Sequence, residues 1–342
     1  MSLSVNSMQL DHLPNGISAV VPVYNSQATL PSLVSRLEAV LSSQDRPYEV
    51  ILVNDGSRDH SWETICALSQ EHAWVRGLNL MRNYGQHNAL LCGIRAARYA
   101  ISVTLDDDLQ NPPEEIPRLL TELEKGYDVV YGTPIRQQHG LWRNLASTLT
   151  RLALQSTMGV QTARNASPYR LLRTQLRQAF SNYQSPFVML DALLTWGTSR
   201  FAAVPVEHHL RQSGNSNYTF RRLVRHGLNM ITGFTILPLQ LASLMGFGFA
   251  IFGLLVLIYV IGRYIIQGGS VPGFPFLASI ISIFSGVQLF ALGIIGEYLA
   301  RMHFRLMEQP TYVVREQTGL ASQDTPANAG PESLQTSSQG DS

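Results

Sequence analysis

The fold is decided by the segment from Ile101 to Glu115, which reads ISVTLDDDLQNPPEE. Apolar residues at alternate positions end at Leu105, which is typical of a buried β-strand, and three aspartates follow at once. Adjacent carboxylates at the exit of a buried strand repel one another unless a positive charge lies beside them. A Pro112-Pro113 pair then ends the extended chain. The segment therefore indicates a strand whose exit concentrates negative charge.

Two of the three aspartates are predicted metal ligands. Asp106, Asp108 and Gln110 share one side of an extended chain, whereas Asp107 faces the other side. Hard oxygen ligands at this spacing suit Mg²⁺ or Mn²⁺, which takes few protein ligands and keeps coordination sites for phosphate oxygens. We predict that Asp106 and Asp108 bind the metal and that Gln110 is a weaker third contact. The alternative is an acidic cluster that only caps the helix predicted at Glu114–Lys125.

Strands and helices alternate around this segment, which predicts a parallel, doubly wound α/β sheet. Apolar residues recur at helical spacing from Leu30 to Leu41, and further helices are predicted at Ser61–Gln70 and up to Ala97. The predicted strands lie at Ile17–Val23, at Glu49–Val53, at Val75–Leu80, from Ile101, at Asp128–Tyr131 and at Phe201–Val206.

Polar residues follow the first four of these strands. Ligands of such sheets bind beyond the carboxyl ends of the strands, so these residues should meet at one edge: Tyr24, Asn25, Asp55, Arg82, Asn83, Asp106 and Asp108. We interpret Asp55 as an acceptor for the base or ribose of a nucleotide, although Asp-Gly-Ser is also good turn chemistry. For Asn83, the alternative is that it only closes the loop onto the third helix. The dinucleotide G-x-G-x-x-G and the G-x-x-x-x-G-K phosphate loop are both missing after the first strand, which excludes those two readings.

A loop rich in Gly, Ser and Asn follows the last predicted strand. Arg211 lies at its base, and such a loop is suited to close over a phosphate, although an ordinary solvated loop is the alternative. The adjacent His208 and His209 would point to opposite faces of a strand, which favours a packing or surface role over metal binding.

The composition points to a membrane. Charged residues make up 14% of the chain, against about 25% for soluble proteins. No charged residue occurs between Arg225 and Arg263, and residues 237–261 and 276–296 are each long enough to span a bilayer. A net charge of +1 gives no reason to expect nucleic acid as a partner. The two cysteines fit a reduced compartment, and no signal peptide is predicted at the N-terminus.

Basic residues flank the two predicted spans. Arg221, Arg222 and Arg225 lie on an amphipathic segment before the first span, which suits a membrane surface with anionic head groups. Arg301 and Arg305 follow the second span. This bias predicts that both ends are cytosolic and that the hairpin loop lies outside.

Six segments together resemble glycosyltransferase family 2, and specifically its membrane polyprenyl-phosphate glycosyltransferases. The nearest subgroup is similar to the bacterial undecaprenyl-phosphate transferases for glucose or aminoarabinose, with dolichol-phosphate mannose synthases more distant. The resemblance covers about residues 17–314, and it is carried by VVPVYN (Val20–Asn25), VNDGS (Val53–Ser57), RNYGQH (Arg82–His87), LDDDLQNPPE (Leu105–Glu114), RQSGNSNY (Arg211–Tyr218) and GIIGEY (Gly293–Tyr298).

The resemblance implies a GT-A fold, a nucleotide-sugar donor, with UDP favoured over GDP, and Mg²⁺ or Mn²⁺ bound by Asp106, Asp108 and Gln110. It also implies that Arg211 contacts the phosphates. The residues that it implies for the nucleotide pocket are Pro22, Tyr24, Val53, Asp55 and Ala89. It further implies a multi-pass protein of the bacterial cytoplasmic membrane and a homotetramer in which Thr311–Val314 could pair with a neighbouring protomer's sheet.

Three positions depart from the family pattern. The family usually has Glu after Tyr-Asn, where this chain has Ser26, and a loop lysine where this chain has Asn217. Family members often carry an aspartate near the acceptor, in a stretch that here reads NASPYRL from Asn165 to Leu171. A general base at that place is therefore missing from the sequence.

The expected activity is transfer of the sugar to a polyprenyl phosphate at the cytosolic face of the membrane. A phosphate monoester is already largely deprotonated at pH 7, so a general base is less needed than for a hydroxyl acceptor. We expect the acceptor phosphate to be captured by Arg170 or by the patch of Arg221, Arg222 and Arg225, and to attack with inversion. The alternatives are an inactive nucleotide-sugar-binding scaffold and a processive polysaccharide synthase, although the Q-x-x-R-W segment of the latter is missing.

The predicted domain organisation follows the chain. An N-terminal tail (1–16) precedes the GT-A domain (17–212), and a flexible loop with the basic juxtamembrane segment (213–236) leads into the two transmembrane helices (237–298). A cytosolic C-terminal segment (299–316) and a disordered tail (317–342) complete the chain.

Overall fold

The computed structural model describes residues 13–134, 166–208, 237–267, 273–307 and 309–319. Several predictions concern residues outside these ranges. They include the amphipathic helix predicted at 139–158, the Gly/Ser/Asn loop, and the arginines Arg211, Arg221, Arg222 and Arg225. Asn165 and the two chain ends also lie outside the described residues.

Eight strands of the described residues form one mixed sheet. In spatial order they are β7 (Phe201–Val206), β5 (Val129–Pro134), β6 (Arg170–Arg173), β4 (Ile101–Thr104), β1 (Ile17–Val23), β2 (Tyr48–Asn54), β3 (Val75–Leu80) and β8 (Val314–Thr318). Strands β3, β2, β1 and β4 are mutually parallel, as the alternating pattern predicted. The sheet is not purely parallel, because β6 runs antiparallel between β4 and β5, and β8 runs antiparallel to β3.

Helices cover both faces of this sheet. Strand residues alternate between the two cores, so Val21 packs on one face and Val20 on the other, and both are fully buried. The helices on the first face are α1 (Leu30–Ser42), α2 (Ser61–Glu71) and α4 (Ile116–Glu124); those on the second are α3 (Gln86–Ala96) and α5 (Leu190–Gly197). Gly93 lets α3 approach β1 closely, since a Cβ there would lie 2.3 Å from Val20 Cγ1.

Arg170 holds β6 to α5 inside the second face. Its side chain is 1% exposed, and its Nη1 donates to Asp191 Oδ1. Tyr131 Oη donates to the same oxygen at 2.9 Å, and burial raises the pKa of Tyr131 well above its ordinary value, so the hydroxyl stays a donor. The prediction that Arg170 captures an acceptor phosphate is at odds with this arrangement, because the guanidinium is buried and paired. Arg170 is therefore a structural residue here.

Two long helices follow the sheet residues, α6 (Leu237–Gln267) and α7 (Phe274–Leu306). They contact each other at Phe249 and Phe284, whose rings lie edge to face with centroids 6.0 Å apart. In the described part of the chain, Ala242–Arg263 is long and apolar enough to cross a membrane, with a mean hydropathy of 2.6. Phe284–Ala300 is apolar but shorter. The structure thus supports one candidate span, and the two-helix membrane hairpin stays a prediction.

The chain beyond α7 returns to the sheet. Strand β8 pairs with β3 of its own chain, and Gln317 and Thr318 belong to it. Of the predicted run Thr311–Val314, Val314 alone belongs to β8, and the pairing of this run with a neighbouring protomer stays a prediction. The tail predicted to be disordered (317–342) overlaps β8 at Gln317 and Thr318. Because most of its residues are polar, no pattern in the sequence indicated that Val314–Thr318 would pair with β3.

Removing one partner of the buried ion pair should destabilise the domain. Asp191→Ala leaves the Arg170 guanidinium buried without its carboxylate, which costs about 3–5 kcal/mol and should lower the melting temperature by about 10 °C. The matched control is Glu122→Ala, which removes an exposed contact to Lys125 and should cost less than about 1 kcal/mol. Thermal unfolding of the two variants measures the difference. Equal and small shifts would contradict the structural role of the pair.

Candidate functional site

The exit of β1 is tied to the exit of β4. Tyr24 donates its backbone N–H to Asp107 Oδ2 at 3.1 Å, and Ser26 donates its hydroxyl to the same oxygen. Asn25 takes the left-handed backbone conformation, with φ of 55°, which asparagine tolerates better than most residues. The loop after β1 is thus fixed on the side chain of the middle aspartate.

The three aspartates point to different partners. Asp106 Oδ1 accepts from Gln86 Nε2 of α3 at 2.5 Å, and Asp108 Oδ1 accepts from the backbone N–H of Gln110 at 3.2 Å. Asp107 instead faces the β1 loop, as its predicted opposite orientation required. Burial raises the pKa of Asp107 above its ordinary value, and the hydrogen bonds from Ser26 and Tyr24 oppose that rise. The middle carboxylate therefore binds the loop after β1, while Asp106 binds a side chain of α3 and Asp108 binds the backbone of its own segment.

Asp55 ties the exit of β2 to the exit of β3. Its side chain is 3% exposed, and its two oxygens accept the backbone N–H groups of Tyr84 at 2.7 Å and Gly85 at 2.9 Å. Burial raises the pKa of Asp55, and these two hydrogen bonds oppose the rise. Gly56 brings the loops together, because at φ of 66° a Cβ would lie 2.5 Å from Asn83 N. Asp55 is thus more than a turn residue, since it holds the loop that begins α3.

The other predicted nucleotide residues divide into exposed and buried ones. Arg82 and Asn83 are exposed on the loop after β3, and the Arg82 guanidinium lies 4.6 Å from the centre of the Tyr84 ring. Pro22, Val53 and Ala89 are buried, so they lie beneath the loops at the ends of the strands. Their contact with a nucleotide stays a prediction.

A cleft of about 720 Å³ opens beside the carboxylates. Its size lies in the range of small-molecule sites. Residues of the β1 exit loop form most of its wall, and the lining residues are Tyr24, Asn25, Ser26, Gln27, Ala28, Thr29, Pro31, Asp59, Asp107 and Asp108. Three carboxylates make this cleft acidic, and four of the residues predicted at the edge, Asp55, Arg82, Asn83 and Asp106, are not part of its lining.

The donor set fits a divalent cation that is shared with a ligand. In the described ranges no group of three or more His, Cys, Asp and Glu side chains is placed to hold a metal by itself. Mg²⁺ commonly uses only one or two carboxylates and completes its shell with water and substrate phosphates. Asp106 and Asp108 provide two such carboxylates, both partly exposed after β4, so these residues fit the predicted metal when a phosphate ligand supplies the other oxygens.

Sequence reasoning missed three parts of this site. Ser26 was noticed only as a departure from a family pattern, and its bond to Asp107 needed the structure. Nothing in the sequence marked Gln86 as a partner of Asp106. The backbone N–H groups of Tyr84 and Gly85 carry no side-chain signal at all.

The chain matches known proteins over most of its length. Residues 18–188 match the family model described as glycosyl transferase family 2. An undecaprenyl-phosphate 4-deoxy-4-formamido-L-arabinose transferase of Pseudomonas aeruginosa is 36% identical over 301 residues, covering 87% of this chain and 89% of that protein. A protein of the same name from Shewanella sediminis is 36% identical over 303 residues, covering 88% and 92%.

One of the similar solved structures is glucosyl-3-phosphoglycerate synthase from Mycobacterium tuberculosis, in complex with Mn²⁺ and UDP-glucose. It has a TM-score of 0.48 and 18% identity, covering 64% of this chain and 77% of that chain. This likeness is too distant to bear on ligands or mechanism.

Replacing Asp55 should loosen the loop after β3. Asp55→Asn keeps one acceptor oxygen, so one of the two backbone donors at Tyr84 and Gly85 loses its partner, at a cost of about 1–3 kcal/mol. Amide exchange at Tyr84 and Gly85 should become faster, and the melting temperature should fall. Asp45→Asn is the matched control, because Asp45 is exposed and its positive φ also suits asparagine. Unchanged exchange at both amides in Asp55→Asn would show that the carboxylate does not hold this loop.

Proposed function

The chain belongs to glycosyltransferase family 2 and is a glycosyltransferase, and on this premise we propose that it transfers a sugar from a nucleotide-sugar donor to a polyprenyl phosphate. The observation that carries the proposal is the 36% identity, over 87% of the chain, to a transferase named for undecaprenyl phosphate. The acidic cleft at the carboxyl edge of the sheet supports the donor half of the reaction. The long apolar helices support the lipid half.

The exposed apolar surface of α6 and α7 supports a membrane location. Large side chains such as Leu244, Leu255, Ile266, Leu289 and Leu306 are more than half exposed in the isolated chain. Contiguous apolar surface of this extent is rare on soluble monomers, and it suits lipid tails. We place the site at the cytosolic face of the bacterial cytoplasmic membrane, with both helices spanning and the protein assembled as a homotetramer.

The donor diphosphate is placed at the β4 exit, within reach of Asp106, Asp108 and Gln110. Mg²⁺ or Mn²⁺ bound there would neutralise the charge of the diphosphate and of the departing nucleotide. Tyr24, Asn25, Arg82 and Asn83 surround the nucleoside, with UDP favoured, and Pro22, Val53, Asp55 and Ala89 support them from beneath. Arg211, outside the described residues, closes over the phosphates.

The acceptor needs positioning more than activation. A lipid monophosphate is mostly deprotonated near pH 7, since its second pKa is about 6. The patch of Arg221, Arg222 and Arg225 would hold that anion, and its oxygen attacks the anomeric carbon in line as the bond to the nucleotide diphosphate breaks, which inverts the configuration. The exposed Pro168, in the stretch where relatives often carry an aspartate, agrees with a reaction that needs no general base.

Pro168 also favours a second candidate function, in which the chain binds a nucleotide sugar without transferring it. Its carbonyl accepts from Thr104 Oγ1 at 2.8 Å, so this stretch lies beside β4 and offers no side-chain carboxylate there. A panel of radiolabelled nucleotide sugars with a short polyprenyl phosphate separates the two functions. Transfer of label into the lipid phase supports the enzyme. Tight donor binding with no transfer from any donor supports the scaffold.

Substitution of the aspartates should separate metal ligands from their neighbour. Asp106→Asn and Asp108→Asn should each lower turnover at saturating donor by about 100-fold or more, because charge stabilisation at the leaving diphosphate is lost. Asp107→Asn is the matched control, since Asp107 faces Tyr24 and Ser26. It should lower turnover by less than about tenfold, which is the usual cost of a weakened neutral hydrogen bond. Near-wild-type turnover of Asp106→Asn would refute the metal assignment.

Substitution in the basic patch should affect the acceptor alone. Arg222→Ala should raise the KM for the polyprenyl phosphate by about fivefold to tenfold, because one charge-assisted contact is lost, and it should leave donor affinity unchanged. Arg46→Ala is the control, because Arg46 precedes β2 at the amino end of the strand and, among the described residues, forms an exposed ion pair with Glu124. Equal losses for donor and acceptor would argue against a role in acceptor binding.

A further inference from the structure

The segment that follows the two long helices packs against β3 and α3. We call residues 309–319 the C-terminal strap. Asn88 of α3 is 3% exposed and donates its Nδ2 to Thr311 O at 2.7 Å. Met81, the first residue after β3, donates its backbone N–H to Val313 O at 2.9 Å. The strap therefore contacts both the start of α3 and the loop that carries Arg82 and Asn83.

A row of polar side chains leads from the strap into the sheet. Glu316 Oε1 accepts from Asn79 Nδ2 at 2.7 Å, and Asn79 Oδ1 accepts from Asn54 Nδ2 at 2.8 Å. Asn54 Oδ1 then accepts the backbone N–H of Ser57 at 3.3 Å. The three side chains are in register across β8, β3 and β2, so they share one face of the sheet. We call this series the amide relay.

The amide relay ends at the loops that border the cleft. Ser57 Oγ accepts the backbone N–H of Asn25 at 3.0 Å, and Asn25 Oδ1 accepts the backbone N–H of Arg58 at 2.8 Å. Tyr24, next to Asn25, donates its backbone N–H to Asp107. The hydrogen bonds therefore connect β8 to the loop between β1 and α1 without interruption.

The carboxylate of Glu316, at the β8 end of the amide relay, sets the direction of each hydrogen bond in it. Asn54 and Asn79 are buried, with 3% and 6% exposure, and each can present either an oxygen or an amino group to its neighbour. A carboxylate only accepts, so Glu316 fixes the Asn79 amino group toward β8. Asn79 must then present its oxygen to Asn54, and Asn54 must present its oxygen to Ser57. Without the Glu316 acceptor, the side-chain amides of Asn79 and Asn54 can each rotate by half a turn and exchange their donor and acceptor atoms.

We propose that Glu316 is a positioning residue of the donor site and acts through the amide relay on the loops at Tyr24–Ser26 and Asp55–Arg58. The strap that follows the apolar helices thereby links the membrane part of the chain to the nucleotide loops. The expected change in donor KM rests on the proposed function, whereas the expected change in amide exchange of the loops does not. Glu316 itself is exposed and touches neither the metal ligands nor the cleft.

The test compares three variants of the full chain in lipid nanodiscs. Glu316→Ala removes the acceptor, and Glu316→Gln keeps an acceptor oxygen for Asn79. Gln317→Ala is the matched control, because Gln317 is the next residue of β8 and points to the other face of the sheet. Amide hydrogen exchange is followed in peptides that cover 23–29 and 54–58, together with the donor KM and kcat for the best nucleotide sugar of the panel.

The expected result is local and specific. Glu316→Ala should speed exchange in both peptides by about fivefold, the loss of one hydrogen bond, and should raise the donor KM by a similar factor with kcat within about twofold. Glu316→Gln and Gln317→Ala should match the wild type. If Glu316 only stabilised β8, Glu316→Ala would change amide exchange in β8 and β3 alone, and that result would overturn the proposal. Unchanged exchange in both peptides would also overturn it. If the wild type transfers no sugar, the proposed function fails and the exchange data still decide the relay.

Discussion

The candidate site depends on two carboxylates that accept backbone N–H groups from neighbouring strand exits. Asp107 accepts from Tyr24, and Asp55 accepts from Tyr84 and Gly85. Burying a carboxylate is costly unless such donors surround it, and the raised pKa values of both residues reflect that cost. Together these bonds fix the loops after β1 and β3 on the exits of β4 and β2.

This arrangement gives the three adjacent aspartates separate tasks. Asp107 accepts hydrogen bonds from Tyr24 and Ser26, whereas the Asp108 charge still contributes to its raised pKa, so part of the repulsion among the three carboxylates remains. A divalent cation with a diphosphate would offset that remaining repulsion. The reaction proposed here brings together two anionic phosphates beside a bilayer, and it needs a site that neutralises charge and holds geometry. Acid–base catalysis is of less use to a deprotonated acceptor.

The sequence was sufficient for much of the fold, because parallel buried strands read as apolar runs that end in polar residues. The bounds predicted for the first three strands and for Phe201–Val206 agree with the structure within one residue. Strand β6 was missed, since four residues that begin and end with arginine show no strand periodicity. Strand β8 was missed as part of this sheet, because its pairing with β3 joins residues more than 200 positions apart. Local patterns carry no information about such contacts.

The site was predicted in outline but not in its contacts. Residues beyond four strand exits were correctly expected at one edge, because parallel strands bring their carboxyl ends together. The pairing of Arg170 with Asp191 was not predicted, since an arginine in a short apolar run looks the same in sequence whether it binds a ligand or a buried aspartate. Bonds to backbone N–H groups, which hold Asp55 in place, leave no trace in the identity of the donor residues.

The proposed mechanism requires that Asp106 and Asp108 hold a cation together with the donor diphosphate. The most direct measurement is Mn²⁺ binding to the full chain in nanodiscs, followed by electron paramagnetic resonance with and without UDP. We expect that UDP strengthens Mn²⁺ binding, that Mn²⁺ strengthens UDP binding by the same factor, and that Asp106→Asn abolishes this coupling. Equal UDP affinity in Mn²⁺ and in excess chelator, with the wild-type protein, would contradict it.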